Sequence, residues 1–111
     1  MRAVRQDDLA AAARALLAVD EADWADLSDR ILAESDLADR YRKRLRRLWP
    51  GGLDGTIMSA ALAHPHGPPL ARLGRREARA MIAMLAALER WRDARDTGPA
   101  GQRGLSGRGT L

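Results

Sequence analysis

Six basic residues crowd into eight positions, Arg40, Arg42, Lys43, Arg44, Arg46 and Arg47, with Tyr41 among them and Trp49 just beyond. Guanidinium groups at that density match a phosphate backbone, and a neighbouring aromatic ring offers a surface for stacking or wedging. A competing reading is a solvated helix end. Cations suit a helix C-terminus, and Asp36–Arg40 and Asp39–Lys43 stand at the i, i+4 spacing of ordinary surface pairs. Those two effects account for Arg40 and Lys43 and leave Arg42, Arg44, Arg46 and Arg47 without acids close behind them. A second basic group, Arg72, Arg75, Arg76 and Arg79, opens a later helix, where cations oppose the dipole and need a compensating partner. That partner is expected inside the molecule, among the acids of the long helix, or else is an external anion at the helix start.

Other chemistries have thinner footing. His64 and His66 are the only histidines, Pro65 separates them, and no third ligand lies near, so no metal site is expected. Ser28, Ser35, Ser59 and Ser106 lie neither in a glycine elbow nor beside a histidine. No glycine-rich phosphate loop or dinucleotide fingerprint occurs. The absence of cysteine excludes disulfides, thiol catalysis and cysteine-bound zinc. No catalytic residue, cofactor or small-molecule substrate is therefore expected. The expected class is non-enzymatic.

Charge is divided along the chain. Residues 1–39 carry a net charge of −6 and residues 40–111 a net of +10, which gives the overall +4. Such a bipolar field steers a polyanion to one end, or is satisfied within the molecule or between copies. Eighteen of the 19 basic residues are arginine, a bias that a GC-rich genome also produces.

The elements that must position these charges are helical. Alanine (22) and leucine (16) dominate 111 residues, while aromatics are 4%. That composition favours helix over a sandwich or barrel. Asp7 or Asp8 is placed as the cap of a first helix over about 8–19, with Leu9, Ala12, Ala13, Leu16 and Leu17 on one face. Asp20 is placed as the cap of a second, longer helix. Its apolar stripe is Trp24, Leu27, Ile31, Ala38, Tyr41, Leu45 and Leu48, a heptad-like spacing interrupted at Glu34. The stripe faces either the domain's own core or a partner's helix, and Trp24, Leu27, Ile31, Tyr41, Leu45 and Leu48 are its interaction candidates.

Pro50, Gly51 and Gly52 stop that helix. Asp54 or Thr56 then caps a short third helix over about 57–63. Three prolines and a glycine make 64–69 a crossing segment. A fourth helix over about 75–95 directs Ala78, Met81, Ile82, Leu85, Leu88 and Trp91 inward and Arg76, Arg79, Glu89, Arg90 and Asp93 outward. After Asp96 five glycines fall in fifteen residues, too little apolar surface to offset ordering entropy. The expected architecture is all-α: a four-helix domain (two long, two short helices) over 1–96 with a disordered Gly/Arg tail over 97–111.

The block Asp54-Gly55-Thr56-Ile57-Met58-Ser59-Ala60-Ala61-Leu62, preceded by Pro50, resembles a family of short uncharacterised alphaproteobacterial proteins. They share a Met-Arg start, an Ala-rich helix, an acidic-to-basic helix with Ala-Asp-Arg-Tyr-Arg, and a Pro-x-x-x-[Asn/Asp]-Gly-[Ser/Thr]-[Leu/Ile]-Met-x-Ala-Ala block. The resemblance covers about residues 1–88. It departs at Trp49, where the family pattern has His, and at Gly52, where it has an aromatic. It implies the architecture and no established activity. Read physically, Gly55 is a turn residue and Met58 a core residue.

These features yield two functional expectations. The first is a helical accessory protein contacting nucleic acid through Arg40, Arg42, Lys43, Arg44, Arg46 and Arg47, with Arg75 and Arg76 as a second patch. A small DNA-packaging (small-terminase-like) subunit of a phage or gene-transfer particle is its concrete form. The second is a protein–protein adaptor or self-associating helical protein. No apolar run approaches the length that crosses a membrane, and a cytoplasmic location is expected.

Overall fold

The computed structural model describes residues 1–46 and 53–96. Four α-helices follow one another: α1 (Gln6–Leu17), α2 (Trp24–Leu45), α3 (Ile57–Leu62) and α4 (Arg75–Asp96), two long, one intermediate and one short. A single 3-10 turn over Glu21–Asp23 leads into α2. The all-α architecture read from composition and periodicity is the architecture observed.

Helix α1 is the centre of the packing. Ala11, Ala12, Ala13, Ala15 and Leu16 are all buried, and α2, α3 and α4 all pack against it. Small residues on one helix let neighbouring backbones approach closely, so the core is built from alanine contacts plus a few large side chains. Those large side chains are Leu16, Ile31, Leu32, Ile57 and Met84, each essentially sealed from solvent. Trp24 closes one end of this core and donates its indole N–H to the Leu16 carbonyl at 2.6 Å. The same carbonyl accepts the Val19 N–H at 3.1 Å, so both of its acceptor positions at the end of α1 are used.

The caps differ in part from the sequence reading. The residue preceding α1 is Arg5, so Asp7 and Asp8 lie inside the first turn. Asp8 nevertheless serves the helix start: its carboxylate accepts the Arg5 N–H at 2.8 Å and, 50 residues on, the Met58 N–H at 3.0 Å. One buried carboxylate thus ties the first turns of α1 and α3 together. Asp20 precedes the 3-10 turn without making a side-chain cap. Thr56 caps α3 through the Ser59 N–H at 3.1 Å, while Asp54 accepts both the Thr56 N–H at 2.9 Å and its hydroxyl at 2.6 Å. Both residues assigned to that cap take part.

Helix α2 ends at Leu45, three residues before the expected end of its stripe at Leu48, because Arg46 turns into the left-handed region (φ +55°). The crossing segment is latched to α1 by a reciprocal pair: the Gly67 N–H donates to the Arg14 carbonyl, and the Arg14 Nε donates to the Gly67 carbonyl, each at 3.0 Å.

Helix α4 is rotated from its expected orientation. Ala80, Met84, Ala87 and Leu88 are buried, with Met81 and Trp91 partly so, whereas Ile82 is 63% and Leu85 46% exposed. The alanine-rich surface of α1 admits a helix most closely through its own small residues. Ala80 and Ala87 therefore face inward at the expense of Ile82 and Leu85, each two positions away.

One buried hydroxyl is out of place. Ser28 Oγ, on the core face of α2, has no hydrogen-bond partner among the described residues. An unsatisfied buried polar group destabilises by about 1–3 kcal/mol. Ser28→Ala is therefore expected to raise the urea midpoint, with a gain of up to about 1 kcal/mol. A lower midpoint would show that the hydroxyl is satisfied.

Candidate nucleic-acid interface

The C-terminal half of α2 carries two acids on its buried face. Asp36 and Asp39 follow Ile31, Leu32 and Ser35 around the same side of the helix, and Asp39 is only 1% exposed. Buried carboxylates must be paired, and these two gather cations from three parts of the chain. The Met1 ammonium lies 2.6 Å from Asp36 and 3.2 Å from Asp39. Arg40 and Arg95 reach Asp36 at 2.5 and 3.5 Å, and Arg42 and Lys43 reach Asp39 at 3.0 Å each. Burial alone would raise both carboxyl pKa values. For Asp39, hydrogen bonds from Lys43, Arg42 and the ammonium outweigh that effect and bring it down to about 2. Asp36 is lowered by the same contest, chiefly through the ammonium and then Arg40 and Arg95.

Gly55 completes the arrangement from the other side. Its φ is +91°, and a β-carbon there would fall 2.7 Å from the Asp39 β-carbon and 2.8 Å from its α-carbon. The Gly55 carbonyl accepts the Ser35 hydroxyl at 2.9 Å and the Arg2 N–H at 3.1 Å. The Asp54-Gly55-Thr56 sequence is therefore the joint where the chain's first residues, α2 and α3 meet.

Five cations against two carboxylates leave a local surplus of three positive charges. Their heads contact the carboxylates, yet the side chains stay largely open to solvent: Arg40 is 67% and Lys43 66% exposed. Arg44 and Arg46 are exposed and form no ion pair with any other described residue. Arg42 differs from its sequence reading, which finds no acid close behind it. Asp39 at i−3 holds it, and its Nε is buried. Arg47 and Trp49 lie outside the described residues. Beside the cluster, Met1, Arg2, Val4, Trp91, Arg92 and Arg95 line an open groove of about 260 Å³. Arg95 sits 5.9 Å from the centre of the Trp91 ring.

Met1, Arg2 and Arg95 are site residues that the sequence reading misses. The available signal is an acid pair at i, i+3 within a buried helical face, a pattern that demands cations from elsewhere.

Two of the four arginines of the second basic patch, Arg76 and Arg79, are used within the molecule. Arg76 lies 5.2 Å over the Trp24 ring and donates to the Val19 carbonyl at 3.3 Å. Arg79 reaches Glu21 at 3.8 Å, and Arg90 reaches Asp29 at 3.1 Å. Glu21, just before α2, thus compensates Arg79 at the start of α4, Asp29 pairs with Arg90 farther along it, and Arg76 belongs to the packing. Arg75 is exposed and forms no ion pair with a described residue.

The helix-two stripe divides in the same way. Trp24, Leu27 and Ile31 lie in the core, which removes them as a docking face. Tyr41 is half-buried, Leu45 is 47% exposed, and Leu48 lies outside the described residues. Among the described residues no three metal-ligating side chains gather; His64 instead bonds Glu34 at 2.6 Å. No described helix is long and apolar enough to cross a membrane.

Fold and site together define a small all-helical domain with a cation-rich end organised around buried acids. The chain belongs to the family described as domain of unknown function (DUF7742), whose model matches residues 2–88. No curated protein and no solved structure matches it.

Proposed function

We propose that this chain is a non-enzymatic accessory protein that holds a nucleic-acid backbone on the cationic end formed by α2 and the end of α4. The supporting observation is the charge surplus around Asp36 and Asp39. Two carboxylates hold the charged groups of five cations and balance only part of their charge, which pre-orders a surface of net positive charge. Arg44, Arg46 and Arg92 extend that surface, and Trp91 supplies a ring beside it for a base to stack on. Arg46 adds a further argument. It occupies a left-handed position where glycine is least strained, and a non-glycine residue is held there at about 1–2 kcal/mol.

Within this class, a small DNA-packaging subunit acting in the cytoplasm is the concrete form that size, helicity and charge fit. The Pro50 to Ala61 block is, on this reading, a structural marker of the family, since Gly55 and Asp54 serve the fold.

The reading predicts binding of a single-stranded or duplex oligonucleotide that weakens steeply with salt. The triple change Arg44→Gln, Arg46→Gln and Arg92→Gln is expected to weaken that binding at least tenfold. It should also flatten the log–log salt slope by about 0.7–0.9 for each phosphate that is no longer neutralised. All three side chains are exposed, so circular dichroism should be unchanged. Fluorescence anisotropy from low to physiological salt is the measurement. Undetectable binding at low salt, or binding indifferent to salt and to the triple change, would overturn the proposal.

A further inference from the structure

The outward face of α4 carries a charge pattern with internal antisymmetry. Arg75, Arg79, Ile82, Ala86, Glu89 and Asp93 follow one another at spacings of four, three, four, three and four, and all six are exposed. That spacing keeps them on one stripe of the helix, with a drift of only about 20° per heptad. The stripe reads cation, cation, apolar, apolar, anion, anion. Reflected through the level of residue 84, position 75 exchanges with 93, 79 with 89 and 82 with 86. Every cation exchanges with a carboxylate, and the two apolar positions exchange with each other.

From this we infer that α4 is a self-complementary surface whose partner is a second copy of the chain, docked antiparallel across a two-fold axis level with residue 84. In an isologous contact the same patch meets itself, so residue i faces j and j faces i. Arg75 then faces Asp93 of the second copy, Arg79 faces its Glu89, and Ile82 packs on its Ala86. Leu85, 46% exposed beside the stripe, extends the apolar centre. The parallel arrangement sets like charges opposite one another and is disfavoured by the same pattern, so orientation is specified as well as attraction.

The internal contacts of the stripe do not oppose docking. Arg79 reaches Glu21 at 3.8 Å between two half-exposed side chains, a weak pair that a closer carboxylate displaces. Asp93 also has a contact in its own chain, and the second copy adds to it. The stripe explains why a helix in so small a domain leaves Ile82 63% exposed while burying Ala80 and Ala87. This surface lies on α4 alone; it borders the proposed polyanion surface at Arg92, which shares a groove with Ile82 and Glu89, but draws on none of that surface's cations.

Sedimentation equilibrium over a wide concentration range tests the inference on the full chain. The expected mass rises from the 12.1 kDa monomer to twice that value. Two charge-reversed chains, Arg75→Glu with Arg79→Glu, and Glu89→Arg with Asp93→Arg, should each self-associate at least tenfold more weakly. Mixed in equal amounts they should restore a heterodimer, which a misfolded variant would not do. Because the chain has no cysteine, Arg75→Cys and Asp93→Cys chains mixed and oxidised should cross-link to each other, and neither should cross-link to itself. A chain that stays at 12.1 kDa throughout would overturn the proposal. So would a dimer indifferent to both reversals, or self-cross-linking of the Arg75→Cys chain.

Discussion

Gly55→Ala is expected to leave the chain mostly unfolded under conditions where the parent chain is folded. Two independent costs coincide at this residue. A side chain at φ +91° is strained wherever it occurs, by about 1–2 kcal/mol. The new methyl would also lie 2.7–2.8 Å from the β- and α-carbons of Asp39. Backbone of α2 cannot swing aside as a flexible side-chain tip can, so the Asp54–Thr56 turn must retreat. Retreat lengthens the Ser35 and Arg2 hydrogen bonds to the Gly55 carbonyl and pulls α3 from α1. We expect a total loss of at least about 3 kcal/mol, a large share of the roughly 5–15 kcal/mol typical of a small domain. Urea unfolding followed by circular dichroism checks it, with Gly104→Ala, outside the described residues, as a comparison. A Gly55→Ala midpoint within error of the parent would show that the close approach to Asp39 does not govern stability.

The sequence makes the local part of this architecture readable. Helix periodicity, the Asp54 and Thr56 cap, and the Asp36–Arg40 and Asp39–Lys43 pairs all lie within a few residues of their partners, while the expected stop at Pro50 lies outside the described residues. The expected compensation of the arginines that open α4 by acids near the start of α2 appears at Arg79–Glu21. What periodicity leaves hidden depends on contacts distant along the chain. Asp8 reaches Met58 across 50 residues, and the Met1 ammonium reaches Asp36 across 35. The rotation of α4 is hidden for another reason. Both candidate faces hold apolar residues at helical spacing, and the choice between Ile82 and Ala80 is made by how closely α1 can be approached, a property of the pair. The cationic end is legible from its density of basic residues, but its organisation also depends on Met1 and Arg95, which Asp36 and Asp39 draw in from distant parts of the chain.

That organisation leads to a pH-dependent expectation at Asp39. Its carboxyl sits at about 2 in the folded chain, against 3.8 for the free side chain. Because the folded value is the lower, the unfolded chain takes up the proton first as pH falls. Stability from this group is fully present above the unfolded value and is lost as pH drops through 3.8 toward 2. The shift corresponds to about 2 kcal/mol at neutral pH. Asp36 and Asp54 are lowered as well and act in the same direction. Asp39→Asn keeps the shape but removes the charge that Arg42, Lys43 and the Met1 ammonium surround. Removing one member of a buried ion cluster costs about 3–5 kcal/mol. The low end is expected here, because Lys43 is largely exposed and Asp36 still holds the ammonium. Urea midpoints of the two chains should therefore differ strongly at about pH 7 and converge as the pH falls through 3.8 toward about 2. Parallel pH profiles, offset by a constant, would mean that Asp39 stabilises by packing and not by its charge, and that the cations beside it are not held by it.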